Sequence, residues 1–163
     1  MFLAEWVSCR YGIKREEQDS FSLRSHLNWG SASSSGRFDR EIITIQSTNC
    51  STDESPRPNL TEDKLAKLAT VFDLPNISEA HANKSAHVRT VSAGNASSLN
   101  DGAAAVVLVS SSYLKNKLTS DPSCGRGLAR VVSWAQSGGP PELMGIEVVP
   151  AVKLAVLFYC LMF

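Results

Sequence analysis

Residues 93–98 read Ala-Gly-Asn-Ala-Ser-Ser, six consecutive side chains with almost no bulk. Backbone amides and hydroxyls in such a stretch can approach a ligand closely, so its chemistry is that of a hydrogen-bonding cradle. The turn Asn100-Asp101-Gly102 follows, and then the apolar run Ala103–Ser110, which predicts a buried strand behind the loop. A plain structural loop feeding a core strand has the same composition, so only the order of residues separates the two readings.

The groups that could make or break bonds are sparse. Cys9, Cys50, Cys124 and Cys160 have no CxxC spacing, and Asp121-Pro-Ser-Cys-Gly-Arg-Gly127 reads as an ordinary turn, so four free thiols are expected. His26 falls on a helical pattern, and His81 and His87 lie in a polar stretch. This scatter predicts no metal site.

The elements that must position the cradle fall into two halves. Glu16–Ser34 carries a helical pattern through Phe21, Leu23 and Leu27, closed by Gly36, which predicts a helix ending near Ser31. Phe38–Gln46 alternates enough to predict a strand, residues 47–58 read as a Ser/Thr/Asp/Pro-rich loop, and Thr61–Phe72 has Leu65, Leu68 and Val71 at helical spacing. In the second half Ala103–Ser110 predicts a strand, Ser111–Leu118 a short helix capped by Ser111 or Ser112, and Leu128–Ala135 a Val-rich strand. That order is a βαβ-type unit.

Five ordered segments together resemble the thiolase family, most closely its acetyl-CoA acetyltransferase branch. They are Tyr11–Asp19 (YGIKREEQD) continuing into Phe21–His26, and Gly36–Ile42 (GRFDREI). Next come Arg57-Pro58 with Lys64–Leu68 and Val71-Phe72, and the Val91–Ser110 stretch that holds the cradle. The last is Leu128–Gln136 (LARVVSWAQ) with Pro141–Ile146 and Val149–Lys153. The resemblance implies an α/β fold: a partial thiolase-like fold made of a loop-domain remnant and an incomplete βαβ unit. It also implies a division into residues 1–90, the loop-domain-like segment; 91–155, the start of the C-terminal thiolase half; and 156–163, a divergent apolar tail.

The same resemblance implies which residues meet ligand. The pantetheine arm of coenzyme A would lie along the cradle against Ala93 and Ser97, with Leu99 packed beneath. Arg57, Leu65 and Phe72 would grip the adenine and phosphate end, and Met144 would flank the acyl end. For Phe72 and Met144 a packing role competes with ligand contact, and for Arg57 a solvated loop charge competes equally. Thiolases work through a nucleophilic Cys, an activating His and a second, proton-shuttling Cys, carried in CxSG, GHP and CxGGG motifs. None of these motifs occurs in the chain, nor does an Asn-Glu-Ala-Phe segment, so no catalytic residue is expected here and acyl transfer is expected to be lost. A CoA thioester is then the implied substrate, with no covalently bound cofactor. The alternative is a non-catalytic module that pairs with full-length thiolase subunits.

Of the 163 residues 43% are hydrophobic and 20% charged, which excludes a disordered chain. Sixteen basic and sixteen acidic residues cancel, so no long-range field would recruit nucleic acid or an anionic membrane. The N-terminal segment, with Glu5 in it, shows no leader pattern, which predicts a cytoplasmic protein, with mitochondrion and peroxisome as alternatives. Two stretches depart from the thiolase pattern. Residues 76–89 read as a polar insertion, and Val156–Phe163 is apolar but too short to span a bilayer, which takes about 20 residues. A truncated or alternatively spliced product is the expected origin of that tail.

Overall fold

The computed structural model describes residues 2–72, 89–121 and 127–161, so Cys124, His81, His87 and all but the last residue of the 76–89 insertion lie outside the described residues. The chain divides into two units. The first comprises Met1–Ser98 with Gly139–Ile146, and the second Leu99–Gly138 with Glu147–Phe163.

The first unit is built on two helices. Helix α1 spans Phe2–Tyr11 and stops at Gly12, whose φ of +66° lies in the left-handed region that a side chain disfavours. Helix α2, Arg15–Ser34, begins with the Glu17 carboxylate accepting from the Lys14 amide at 2.8 Å. It ends three residues later than the sequence predicts, in a Schellman motif. Gly36, at φ +72°, donates to the Ser33 carbonyl (3.0 Å) and Arg37 to the Ala32 carbonyl (3.1 Å). Trp29 then stacks on Phe38 with ring centroids 6.2 Å apart, folding the chain back along α2.

Beyond that turn the predicted strand 38–46 does not form. The amides of Asp39, Glu41 and Ile42 bond to the carbonyls of Gly36 and Phe38, and peptide groups spent on local turns cannot join a ladder. Helix α3 covers only Glu62–Ala66 of the predicted 61–72, capped by Thr61, after which Thr70 pairs with Ser92 through an isolated bridge. A short 3₁₀ turn, Pro141–Ile146, packs against α1.

Helix α1 is tied to the cradle by a buried carboxylate. Glu5, 1% exposed, accepts from the Thr90 amide (3.0 Å), the Thr90 hydroxyl (3.0 Å) and the Val91 amide (2.7 Å). Ser8 lies beside it, its oxygen 3.2 Å from that of Thr90, and donates to the Glu5 carbonyl. A charge taken out of water is tolerated only when donors surround it, and here three converge on one carboxylate. The unit's apolar core is small: Leu65 and Val91 are its buried hydrophobic side chains among the described residues.

The second unit contains helix α4, Ser111–Ser120, whose cap is Ser110, one residue before the predicted candidates; its oxygen accepts from the Tyr113 amide at 3.1 Å. Helix α5, Val148–Leu161, runs through most of the apolar tail. Ser133 and Ser137 donate to the carbonyls of Ala155 (2.7 Å) and Glu147 (2.6 Å). Neither Ala103–Ser110 nor Leu128–Ala135 is a strand here, so the predicted βαβ alternation is not formed. A strand exists through the bonds it makes to a neighbour, and no described residue pairs with either segment. Helices are the dominant elements of both units.

Candidate functional site

A groove of about 1430 Å³ opens in the first unit. Its floor is one stripe of α2: Gln18, Phe21, Ser22, Ser25, His26 and Trp29 recur every three or four residues and so share a face. One wall is Ala93–Ser98 with the adjoining Leu68, Val71 and Phe72, and another is formed by Glu54–Arg57 and Leu60.

Local chemistry explains why the Ala93–Ser97 wall holds its shape. Asn95 spends its whole amide on the fold. Its Oδ1 accepts from the Ser92 amide (2.9 Å), and its Nδ2 donates to Asp19 Oδ1 (2.8 Å) and to the Thr90 carbonyl (2.9 Å). Ser22 on α2 donates to the Gly94 carbonyl at 2.6 Å. At Gly94 a Cβ would run into the Leu65 and Leu68 side chains, so the backbone sits directly on α3 and its following loop. Pinned from three sides, the turn leaves the small side chains of Ala93 and Ser97 exposed on the groove, where the Ser97 hydroxyl donates to the Ser98 carbonyl at 2.9 Å.

The facing wall is held by side chains as well. His26 Nδ1 accepts from the Arg57 amide at 3.1 Å, which leaves the proton of a neutral ring on Nε2. Arg57 Nη1 donates to the carbonyls of Glu54 and Pro56, strapping its own loop, while Nε and Nη2 make no hydrogen bond among the described residues. Ser55 and Ser98 bring the two walls to 2.6 Å at one point, and Trp29 Nε1 donates to Asp53 at 2.8 Å.

Four of the residues singled out from sequence, Arg57, Phe72, Ala93 and Ser97, line this one groove. Leu65 is fully buried under Gly94 and shapes the wall from below. Met144 is 66% exposed on the 3₁₀ turn and does not line the groove, and Leu99 is 97% exposed in the second unit. The α2 stripe escaped the sequence reading, although Phe21, Ser25 and Trp29 stand at helical spacing. Glu5 gave no signal at all, because its partners lie 85 and 86 residues away.

The Cys9 thiol has a displaced titration: burial first, and the Glu5 carboxylate second, raise it above the ordinary thiol value. That is the opposite of what a nucleophilic cysteine needs. No group of three or more metal-ligating side chains exists among the described residues, and none of their helices is long and apolar enough to cross a membrane.

The small-residue turn is thus braced over an open groove lined by both polar and apolar side chains. The family described as the thiolase N-terminal domain matches residues 2–112, and the chain belongs to the thiolase family. The acetyl-CoA acetyltransferase of Pseudomonas aeruginosa is 39% identical over 160 residues, covering 94% of this chain and 36% of that protein. The mitochondrial 3-ketoacyl-CoA thiolase of Bos taurus is 35% identical over 159 residues, covering 94% and 35%. Among solved structures, the Bacillus anthracis acetyl-CoA acetyltransferase superposes with a TM-score of 0.72 at 36% identity, over 96% of this chain and 36% of that one. Human mitochondrial 3-ketoacyl-CoA thiolase in complex with CoA gives 0.71 at 34% identity, over 95% and 35%. The fold is thus a portion of a thiolase, and the chain spans about a third of the length of these relatives.

Proposed function

We propose that this chain binds coenzyme A thioesters as part of a thiolase of the acetyl-CoA C-acetyltransferase type, and that it contributes binding rather than bond-making chemistry. The observation that carries the reading is the groove, which the braced Ala93–Ser97 turn lines together with Arg57 and Phe72. A pantetheine-like arm fits a wall of small side chains and one hydroxyl. The unengaged Nε and Nη2 of the Arg57 guanidinium suit an oxyanion of the phosphate end, and Phe72 offers an apolar face to adenine. The relative solved in complex with CoA supports the same ligand. Bond-making is left out because the Cys and His motifs that acyl transfer requires do not occur in the sequence.

The test is a calorimetric titration with CoA, run beside a thiolysis assay on acetoacetyl-CoA. Saturable CoA binding, weakened about tenfold by Arg57→Ala through loss of one charge-assisted contact, is expected without turnover. Absence of CoA binding would overturn the binding half of the reading, and turnover by this chain alone would overturn the other half.

A second reading is favoured by the second unit. Val106, Val107, Leu108, Leu128 and Trp134 are exposed, as is much of α5, and apolar surface of that extent suits a protein partner. In this reading the chain associates with full-length thiolase subunits, or with copies of itself. Co-elution with a full-length thiolase in size-exclusion chromatography is the expected result, and separate elution removes the idea.

A further inference from the structure

We infer that Asp19 is a positioning residue for the ligand-facing turn, acting through Asn95, and that the Arg15–Asp19 pair on α2 ties that turn to the end of α3 on which it rests. This rests on the CoA-binding reading above.

Asp19 is 7% exposed and its two carboxylate oxygens are divided between two tasks. Oδ2 accepts from Arg15 Nε at 2.7 Å, one helical turn earlier on the same face. Oδ1 accepts from Asn95 Nδ2 at 2.8 Å, across 76 residues of chain. Asn95 in turn holds the amide of Ser92 and the carbonyl of Thr90, so this carboxylate oxygen braces both ends of the turn's first half. Arg15 works on the end of α3. Its Nη2 and Nη1 donate to the carbonyls of Leu65 (2.6 Å) and Leu68 (3.2 Å), fixing the end of α3 from which Leu68, Val71 and Phe72 enter the groove. A single ion pair therefore links the turn to the α3 loop on which it rests, through two side chains that do not themselves line the groove.

Asp19→Asn separates the two tasks. An amide has one oxygen, and both partners of Asp19 are donors. The oxygen goes to the charged Arg15, leaving the new NH₂ against the NH₂ of Asn95. The turn is released while the α3 side keeps its strap. Asn95→Ala removes the same tether from the other end and leaves the Arg15–Asp19 pair intact, which keeps the inference testable if the first variant folds poorly.

The experiment measures the full chain's affinity for two probes, pantetheine and adenosine 3′,5′-bisphosphate, together with amide hydrogen exchange at residues 92–98 and along α2. Both variants are expected to lose about tenfold in affinity for pantetheine, to keep nucleotide affinity within about twofold, and to exchange faster at 92–98 alone. Equal loss for both probes with faster exchange throughout α2 would make Asp19 a general support of the fold and overturn the inference. Unchanged affinities with unchanged exchange would overturn it too. If the wild-type chain binds neither probe, the CoA reading fails separately, and selective exchange at 92–98 then decides whether Asp19 positions the turn.

Discussion

The two units differ in what their side chains are asked to do. In the first, polar groups are buried and each one is spent: Glu5 on Thr90 and Val91, Asp19 on Arg15 and Asn95, Arg15 on two carbonyls. In the second, no described residue is buried, and Val107 and Leu128 stand 91% and 95% exposed. The apolar residues there outnumber those that hold the first unit together, yet their burial energy, about 1.5–3 kcal/mol for each large side chain, is not realised. The order of the first unit therefore comes from directed hydrogen bonds between distant segments, and apolar composition by itself orders little. A ligand groove needs that directedness, because walls must be held at a fixed separation for small groups on them to act together.

The contrast predicts a steep gradient of mutational cost. Glu5→Leu strands the amides of Thr90 and Val91 and the Thr90 hydroxyl, and should cost about 4 kcal/mol, measured by urea unfolding followed by circular dichroism. A loss below about 1 kcal/mol would show that the buried carboxylate does not hold the unit. Leu65→Ala empties the one fully buried hydrophobic position among the described residues and should cost about 3 kcal/mol in the same experiment. Gly94→Ala drives a methyl into Leu65 and Leu68, and should cost about 2 kcal/mol and raise exchange at 92–98, where a neutral outcome would mean that the turn sits off α3. In the second unit Val107→Ser should change stability by less than about 0.5 kcal/mol while raising solubility, read as light scattering against concentration. A larger destabilisation there would erase the difference between the two units.

The smallest effect concerns Cys9. Its thiol is held neutral by burial and by the Glu5 carboxylate, so its folded pKa lies above the unfolded one. The associated stability is complete below the ordinary thiol range and is lost as pH rises through the raised folded value. Iodoacetamide labelling should accordingly need a more alkaline pH for Cys9 in the folded chain than for the same thiol in urea. Identical labelling profiles would contradict the burial.

How much of this was legible in the sequence follows from how local each feature is. Helix α2 could be read because Leu23 and Leu27 stand one helical turn apart and Gly36 supplies a left-handed cap. Helix α4 was legible for a similar reason, with the cap misplaced by one serine in a run of three. The cradle's small residues announced close backbone approach, and four of the seven proposed ligand contacts meet in one groove. The strand readings failed where strand formation depends on a partner: 103–110 and 128–135 have the composition of strands and nothing among the described residues to pair with. The braces were invisible for the same physical reason in reverse. Asp19 and Asn95, or Glu5 and Thr90, become partners only after the chain has closed 76 or 85 residues of loop, and no short-range pattern encodes that.

Amide hydrogen exchange of the full chain with and without saturating CoA tests the central claim most directly, because it reads both units in one experiment. Slower exchange confined to the two groove walls, residues 54–60 and 92–98, with 103–110 and 148–161 unchanged, is the predicted result. Protection appearing in the second unit, or nowhere, would contradict a CoA-binding groove in the first.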